Sequence, residues 1–189
     1  AGVPPDYFSV TGQLWGNPLY DWAYLEKTNF EWWIKRIQMN FEISDFVRID
    51  HFRGFEAYWA VPSDEETAIN GEWIKCPGKK MFEEIEKKLG KTAIIAEDLG
   101  IITPEVEDLR DSFNFPGMKI LQFAFNPNED NPYLPHNHIK NCVIYTGTHD
   151  NNTTLGWYQN LSIEEKNFIK NYLKLDSEEN ISWDLIQCA

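Results

Sequence analysis

Apolar residues recur at helical spacing in two stretches of the chain, and each stretch predicts an amphipathic helix. The first stripe comprises Phe30, Trp33, Ile34, Ile37 and Phe41. Thr28 and Glu31 have the spacing of a capping box, so we expect the first helix to begin at Thr28. The second stripe comprises Phe82, Ile85 and Leu89, with Gly90 suited to the C-terminal cap. A further capping box, Ser162 with Glu165, predicts the start of the third helix.

Short apolar runs between these stretches predict four β-strands, at 46–50, 93–96, 120–125 and 142–146. A short helix is expected after the second strand, because Thr103 suits an N-cap and Pro104 the first helical turn. Both faces of the strands are apolar, as in parallel sheets covered by helices, so we predict the α/β class. Repeated Gly and Pro predict an ordered loop over 1–20, and 52–78 is expected to be irregular.

Four βα units make about half of a (β/α)₈ barrel, which takes roughly 250 residues when complete. The 189 residues are therefore expected to form the middle-to-late half of a single catalytic barrel domain that continues past both ends of the chain. A half-barrel alone would leave two unpaired parallel edges, which soluble proteins avoid.

Three of the predicted strands lead into a carboxylate. Asp50 ends the first run, Glu97 follows the second, and Asp150 lies just beyond the fourth. In parallel barrels the active site forms at the C-terminal ends of the strands, so the three acids could face one ligand. For each acid taken singly, an ordinary role in a loop or a helix cap stays open.

Glycosidic cleavage uses one carboxylic acid that protonates the leaving oxygen and one carboxylate on the other face of the sugar. Arg48 precedes Asp50 by two residues and so lies on the same side of the strand, where its charge should keep Asp50 ionised as a nucleophile. Glu97 follows an apolar strand, and burial beside Asp50 should raise its pKa toward that of an acid/base. Asp150 could bind sugar hydroxyls and stabilise the transition state.

Aromatic residues in the loop 1–20 could form platforms for sugar rings: Tyr7, Phe8, Trp15 and Tyr20. Asp6, Gln13 and Asn17 offer polar groups for hydroxyls in the same loop. Ordinary packing beneath a loop is the alternative for these aromatics. For His51 and His149, a purely structural role also stays open.

The composition narrows the classes of ligand. A formal net charge of -13 would repel nucleic acid and anionic membrane surfaces, and no apolar run approaches the roughly 20 residues of a membrane span. The three cysteines have no metal-ligand spacing and are expected to be free thiols of a cytoplasmic protein. Neither a metal ion nor an organic cofactor is predicted.

Five blocks of sequence, in order, resemble the 4-α-glucanotransferases, also called amylomaltases or disproportionating enzymes, a branch of the α-amylase superfamily. The blocks are GVPPDYFSVTGQLWGNPLYDW, RIDHFRGFEAYWAVP, IIAEDLG, PGMKILQFAF and YTGTHDNNTTLGWY. The second block alone would indicate only the wider superfamily. The first and fourth distinguish this branch from ordinary amylases.

The resemblance implies a (β/α)₈ barrel that transfers α-1,4-glucan segments by a retaining double displacement. It implies Asp50 as nucleophile, Glu97 as acid/base and Asp150 as transition-state stabiliser. Residues implied around the bound sugars are Arg48, His51, His149, Asp6, Tyr7, Gln13 and Trp15. The implied ligands are malto-oligosaccharides, glucans derived from starch or glycogen, and glucose as an acceptor.

Three rival hypotheses remain at this point. Acids at the ends of barrel strands also bind Mg²⁺ in enolase-type lyases and isomerases, although Arg48 beside Asp50 would compete with a metal. A non-catalytic glucan-binding fragment could use the aromatic loop while its acids merely bind hydroxyls. An α-amylase-type hydrolase would share the acids but release reducing ends without lengthening any oligosaccharide.

Overall fold

The structure, a computed structural model, describes residues 1–6, 9–127 and 131–189, which form two compact units, Ala1–Pro116 and Gly117–Ala189. The strands of the first unit are β1 (Gly2–Val3), β2 (Gln13–Leu14), β3 (Val47–Ile49), β4 (Ala57–Ala60), β5 (Glu72–Lys75) and β6 (Ile94–Ala96). Its α-helices are α1 (Trp22–Lys27), α2 (Glu31–Phe41), α3 (Gly78–Leu89) and α4 (Pro104–Ser112), and a 3₁₀ helix spans Phe52–Phe55. No helix in the described parts of the chain is both long and apolar enough to cross a membrane.

Strands β3 and β6 pair in parallel, in the register Val47↔Ile94, Arg48↔Ile95 and Ile49↔Ala96. Both strands were predicted from their short apolar runs, and the parallel pairing is confirmed. Ile49 and Ala96, the last residues of the two strands, are buried. The pairing therefore brings two strand ends to the same level of the sheet.

The core of the first unit is built from the two predicted helical stripes. Phe30, Trp33 and Ile37 are buried on α2, and Met81, Phe82 and Ile85 are buried on α3. Gly90 caps α3 with a positive φ of 78°, a conformation that glycine adopts at little cost. These parts of the helix prediction are confirmed.

The capping box predicted at Thr28 is wrong. Helix α2 begins at Glu31, and its N-cap is Phe30 in a left-handed conformation, with φ 55° and ψ 28° and no side-chain cap bond. The Thr28 hydroxyl instead donates to the carbonyls of Tyr24 and Leu25, at the end of α1. The sequence pattern failed here because α1, a helix of only six residues, was not recognised, and Thr28 is its C-cap.

A four-stranded antiparallel sheet, in the order β2-β1-β4-β5, lies where a loop and an irregular segment were expected. Its strands are two to four residues long, too short to show alternation. One cross-strand pair, Trp59 and Trp73, packs with its ring centroids 5.3 Å apart. The sheet anchors residues 13–14 and 57–75 to the same framework as β1.

The second unit contains β7 (Gly117–Ile120) and β8 (Cys142–Tyr145), paired in parallel from Gly117↔Cys142 to Ile120↔Tyr145. Two 3₁₀ helices span Leu121–Phe123 and Pro135–Asn137, and the α-helices are α5 (Thr154–Gln159), α6 (Ile163–Leu173) and α7 (Ile181–Cys188). The capping box at Ser162 and Glu165 is confirmed.

The strand predicted at 120–125 is displaced. Strand β7 ends at Ile120, where the predicted strand begins, and a 3₁₀ helix follows at once. Leu121, Ala124 and Phe125 are nevertheless buried in the core of the second unit. A short apolar run predicts that its residues are buried, but it does not determine whether the backbone forms a strand or a helix.

Substituting Gly78 by Ala is expected to destabilise the first unit strongly. A Cβ at this first residue of α3 would lie 1.9 Å from the Phe55 carbonyl oxygen, and main chain cannot move aside as a flexible side chain can. We expect Gly78→Ala to lower the free energy of unfolding by about 3 kcal/mol or more, measured by urea unfolding of the full-length protein. Lys79→Ala, one residue further along the exposed side of α3, is the control and should change it by less than about 0.5 kcal/mol. Equal effects of the two changes would show that the close approach at Gly78 can relax.

Candidate active site

Asp50 and Glu97 come directly after the last paired residues of β3 and β6. Backbone hydrogen bonds between the two segments continue beyond the strands. The Glu97 N–H donates to Ile49 O at 3.0 Å, and the Phe52 N–H donates to Glu97 O at 3.0 Å. Since neighbouring strands lie about 4.8 Å apart, this pairing fixes two acidic residues side by side at one end of the sheet.

The Glu97 carboxylate is held by two backbone amides. The His51 N–H donates to Oε2 and the Leu99 N–H donates to Oε1, each at 2.7 Å. Burial raises the pKa of Glu97, and the negative charge of Asp50 raises it further, while the two N–H donors and the Arg48 cation oppose the shift. The net result is a pKa above the ordinary carboxyl value, so this group keeps its proton to a higher pH than an exposed glutamate.

Asp50 has a different environment. Its side chain is 66% exposed, and Oδ1 pairs with Arg48 Nη2 at 2.7 Å. Arg48 is more buried, at 28% exposure, so the guanidinium is positioned by the protein and in turn orients the carboxylate. The two acids at this end of the sheet thus differ in burial and in partners, and such a difference can push the pKa values of two carboxyl groups apart.

His51 adopts a left-handed conformation, with φ 48° and ψ 51°, immediately after Asp50. Its ring meets that of Trp15 edge-on, with centroids 4.7 Å apart, and its Nε2 is buried without a hydrogen-bond partner among the described residues. Burial lowers the pKa of His51 to about 4, the charge of Arg53 acts in the same direction, and Asp50 opposes it. The imidazole is therefore neutral near pH 7.

The lowered pKa of His51 predicts a loss of stability in mild acid. Between about pH 6.5 and pH 4 the unfolded chain takes up a proton at His51 that the folded protein does not, so stability present above pH 6.5 is lost as the pH falls toward 4. The loss attributable to this group is at most about 3 kcal/mol. His51→Asn, which tolerates the left-handed backbone, should show a smaller drop in unfolding free energy between pH 7 and pH 4.5. An unchanged drop would mean that the buried imidazole is not its source.

Asp150 lies in the second unit, in a turn that follows β8. The Thr148 N–H and hydroxyl both donate to Asn151 Oδ1, at 2.8 and 3.0 Å, and the Asp150 N–H donates to Thr148 Oγ1 at 3.3 Å. The side chains of His149 and Asp150 are 67% and 78% exposed, with His149 Nε2 3.4 Å from Asp150 Oδ2. The backbone is thus fixed while both side chains are available to a ligand.

Gln122 supports this turn from the 3₁₀ helix after β7. Its buried side-chain amide donates to Asn152 O at 3.1 Å, and its N–H donates to Thr146 O at 3.2 Å. Gly147 packs so closely on it that an added Cβ would lie 2.6 Å from Gln122 Nε2. The turn that carries Asp150 is therefore tied to the 3₁₀ helix that follows β7.

The predicted sugar-binding loop is only partly described. Tyr7 and Phe8 lie outside the described residues, whereas Asp6 Oδ1 accepts the Ser9 N–H at 2.9 Å. Gln13 lies on β2, and its Oε1 accepts the Trp15 Nε1–H at 3.1 Å. Trp15 is 39% exposed. Within the first unit the fold thus brings Gln13, Trp15 and His51 together.

Tyr20, a further candidate platform, is packed against other aromatic rings, those of Trp22, Trp32 and Trp33. Its hydroxyl accepts a hydrogen bond from Arg36 Nη1 at 3.0 Å. These contacts make Tyr20 part of an aromatic cluster with Trp22 of α1 and two tryptophans of α2, while 42% of its surface stays exposed.

The sequence did not predict that the backbone amides of His51 and Leu99 would bind the Glu97 carboxylate. It also did not single out Arg53 as a residue of the site. A backbone donor carries no signal in the sequence. The three cysteines are free, and within the described ranges no group of three or more His, Cys, Asp or Glu side chains is arranged to hold a metal ion.

Known proteins share this architecture and sequence. The family model described as 4-alpha-glucanotransferase matches residues 1–189. The 4-alpha-glucanotransferase of Synechocystis sp. is 59% identical over 191 residues, covering 100% of this chain and 38% of the relative. The chloroplastic/amyloplastic 4-alpha-glucanotransferase of Arabidopsis thaliana is 53% identical over 189 residues, covering 100% of this chain and 33% of the relative.

A solved structure, amylomaltase from Streptococcus agalactiae in complex with acarbose, matches with a TM-score of 0.94 and 44% sequence identity, covering 100% of this chain and 38% of that one. The fold is accordingly mixed α/β and similar to that of amylomaltase. The chain spans about two fifths or less of the length of these relatives. Because the family model and the relatives cover its whole length, the chain belongs to the 4-α-glucanotransferase family, as its sequence blocks predicted.

Proposed function

We propose that the protein containing this chain transfers α-1,4-glucan segments to glucose or malto-oligosaccharide acceptors by a retaining double displacement. The observation that carries this proposal is the pair of carboxylates after β3 and β6, which are adjacent but differently surrounded. Adjacent parallel strands are about 4.8 Å apart, which suits the separation of about 5 Å between the two carboxyl groups of retaining enzymes.

In the first step Glu97 donates its proton to the glycosidic oxygen while Asp50 attacks C1 of the sugar. The glycosidic bond breaks, the acceptor-side sugar leaves with the proton, and a covalent glycosyl-enzyme ester forms on Asp50. In the second step ionised Glu97 removes a proton from an incoming sugar hydroxyl, whose oxygen attacks C1 and releases Asp50. The raised pKa of Glu97 supports the acid role in the first step.

The remaining site residues are proposed to bind sugar. Asp150, exposed on a fixed turn, could accept hydrogen bonds from two sugar hydroxyls and strengthen them as the ring becomes oxocarbenium-like, with His149 beside it. Arg48 orients Asp50. His51, Trp15, Gln13, Asp6 and Tyr7 are proposed for the neighbouring sugar subsites.

We further propose that the parallel strands belong to one catalytic (β/α)₈ barrel domain that includes residues 1–189. Strands β6 and β8 are each followed by a helix, α4 and α5, as barrel strands are. Glucans derived from starch or glycogen are the proposed substrates, and neither a nucleic acid nor a membrane is a proposed partner. A cytoplasmic location is proposed on the three free thiols.

The test is incubation of the full-length protein with maltotriose and separation of the products by chromatography. Transfer predicts glucose together with chains longer than maltotriose. Reducing-end release without longer chains would indicate a hydrolase instead, and no product despite glucan binding would indicate a binding protein. Transfer should persist in EDTA, whereas loss that Mg²⁺ restores would favour a metal-dependent enzyme.

A further inference from the structure

Arg53 connects three segments around the Glu97 carboxylate. It belongs to the 3₁₀ helix that begins after His51, and its Nη1 donates to the carbonyl of Ile101 at 2.5 Å, in the segment that follows Glu97. Its guanidinium also lies over the Trp73 ring of β5, 3.9 Å from the ring centroid. The Arg53 side chain thus joins the segment that follows β3 and Asp50 to the segment that follows β6 and Glu97.

The positive charge of Arg53 is not explained by a contribution to folding stability. The Nε of Arg53 is buried and has no hydrogen-bond partner in the part of the chain that the structure describes. Burial lowers the pKa of Arg53, opposed by the charge of Glu56, which means that the charged form is held there at a cost in free energy. The stacking on Trp73 and the bond to Ile101 offset part of that cost.

The contacts of Arg53 complete a closed ring around Glu97. Starting from Glu97 Oε2, the ring passes to the His51 N–H, along the 3₁₀ helix to Arg53, and across to Ile101. It returns through Leu99, whose N–H donates to Glu97 Oε1. Without the Arg53 bridge, the Phe52 N–H bond to Glu97 O would still join the two segments at their start, but Arg53 and Ile101 further along would no longer be tied to each other.

We propose that Arg53 is a positioning residue for the acid/base: its bridge to Ile101 keeps the amides of His51 and Leu99 on the two oxygens of Glu97. The inference rests on the proposed function of Glu97. Arg53 does not touch the reacting atoms and acts through the geometry of the carboxylate.

The charged and polar groups that face Glu97 set the direction of the expected effect. They are Asp50, Arg48 and the N–H donors of His51 and Leu99. Loosening the two donors destabilises the ionised form of Glu97, because each N–H donor stabilises the charged carboxylate. This change moves the basic limb of the pH profile of kcat/KM to higher pH.

The experiment compares Arg53→Met with the full-length wild type on two donors, maltotriose and α-maltosyl fluoride, with glucose as acceptor. Fluoride leaves without needing a proton, so a fault in the acid should affect only maltotriose. We expect kcat/KM for maltotriose to fall about ten- to hundredfold and that for the fluoride to fall much less, with the basic limb displaced upward. Arg53→Lys, which keeps the positive charge and a nitrogen that can donate to the Ile101 carbonyl, should recover part of the loss.

Lys166→Met is the matched control. Lys166 also donates to a backbone carbonyl, that of Gln159, and lies over an aromatic ring, that of Tyr158, but it belongs to α6. Equal losses on both donors with an unmoved pH limb, or no loss at all, would overturn the proposal. If Arg53→Met does not fold, the same donor ratio is read in Arg53→Lys. Failure of wild-type transfer, or full transfer by Glu97→Gln, would instead refute the proposed function.

Discussion

Asp50→Asn in the full-length protein is expected to abolish disproportionation of maltotriose, with kcat/KM falling by about 10⁴-fold or more. The amide has nearly the same shape as the carboxylate but cannot form the ester to C1 on which both steps depend. The exposed position of Asp50 means that the change should leave folding intact. The measurement is the appearance of glucose and maltopentaose by chromatography.

Asp45→Asn is the control for Asp50. Asp45 is an exposed acid in the segment leading into β3, and its substitution should leave transfer unchanged. In Asp50→Ala, azide can enter from the face that Asp50 occupied and attack C1 of α-maltosyl fluoride, which should yield the inverted β-azide. Transfer undiminished in Asp50→Asn would remove Asp50 from the mechanism.

Glu97→Gln is expected to lower kcat/KM for maltotriose by about 10²- to 10⁴-fold, the range that a positioned general acid supplies. The loss should be smaller for α-maltosyl fluoride, because fluoride departs without a proton. Since Glu97 must be protonated in the first step, wild-type kcat/KM should fall as the pH rises through the raised pKa of Glu97. That basic limb should disappear in Glu97→Gln.

Two further observations make the Glu97 assignment testable. Glu107→Gln, at an exposed position on α4, is the control and should leave both donors unaffected. Azide added to Glu97→Ala should intercept the glycosyl-enzyme and give the α-azide, the opposite anomer from that expected with Asp50→Ala. A β-azide from Glu97→Ala would reverse the two assigned roles.

Sequence patterns predicted elements whose burial follows from their own residues. The stripe from Phe30 to Phe41 and the runs that became β3, β6 and β8 are of this kind. The antiparallel sheet could not be predicted in the same way, because Gly2 pairs with Trp59 far along the chain. Such a pairing depends on tertiary contacts that a short window of sequence does not contain.

The candidate site shows the same division. Acids at strand ends and the spacing of Arg48 and Asp50 are visible in the sequence, and the fold brings that pair into contact. The hydrogen bonds to the Glu97 carboxylate come from backbone amides. One of these amides, that of His51, belongs to a residue in the left-handed conformation. Every residue except proline has a backbone N–H donor, so a pattern of side chains cannot predict which of these donors will bind a carboxylate.

The register of β3 against β6 has a consequence for how such a site can change during evolution. Ile49 and Ala96 are paired, so Asp50 and Glu97 stand at equal height. Replacing apolar residues within either strand preserves that height, whereas deleting one residue from β3 would turn its side chains to the opposite face of the sheet. Point substitutions can therefore change the residues around the two acids without changing the position of either acid along the sheet. An insertion or deletion in these three-residue strands separates the acids in a single step. The spacing of the two acids is therefore inherited through the length of the strands as much as through the acids themselves.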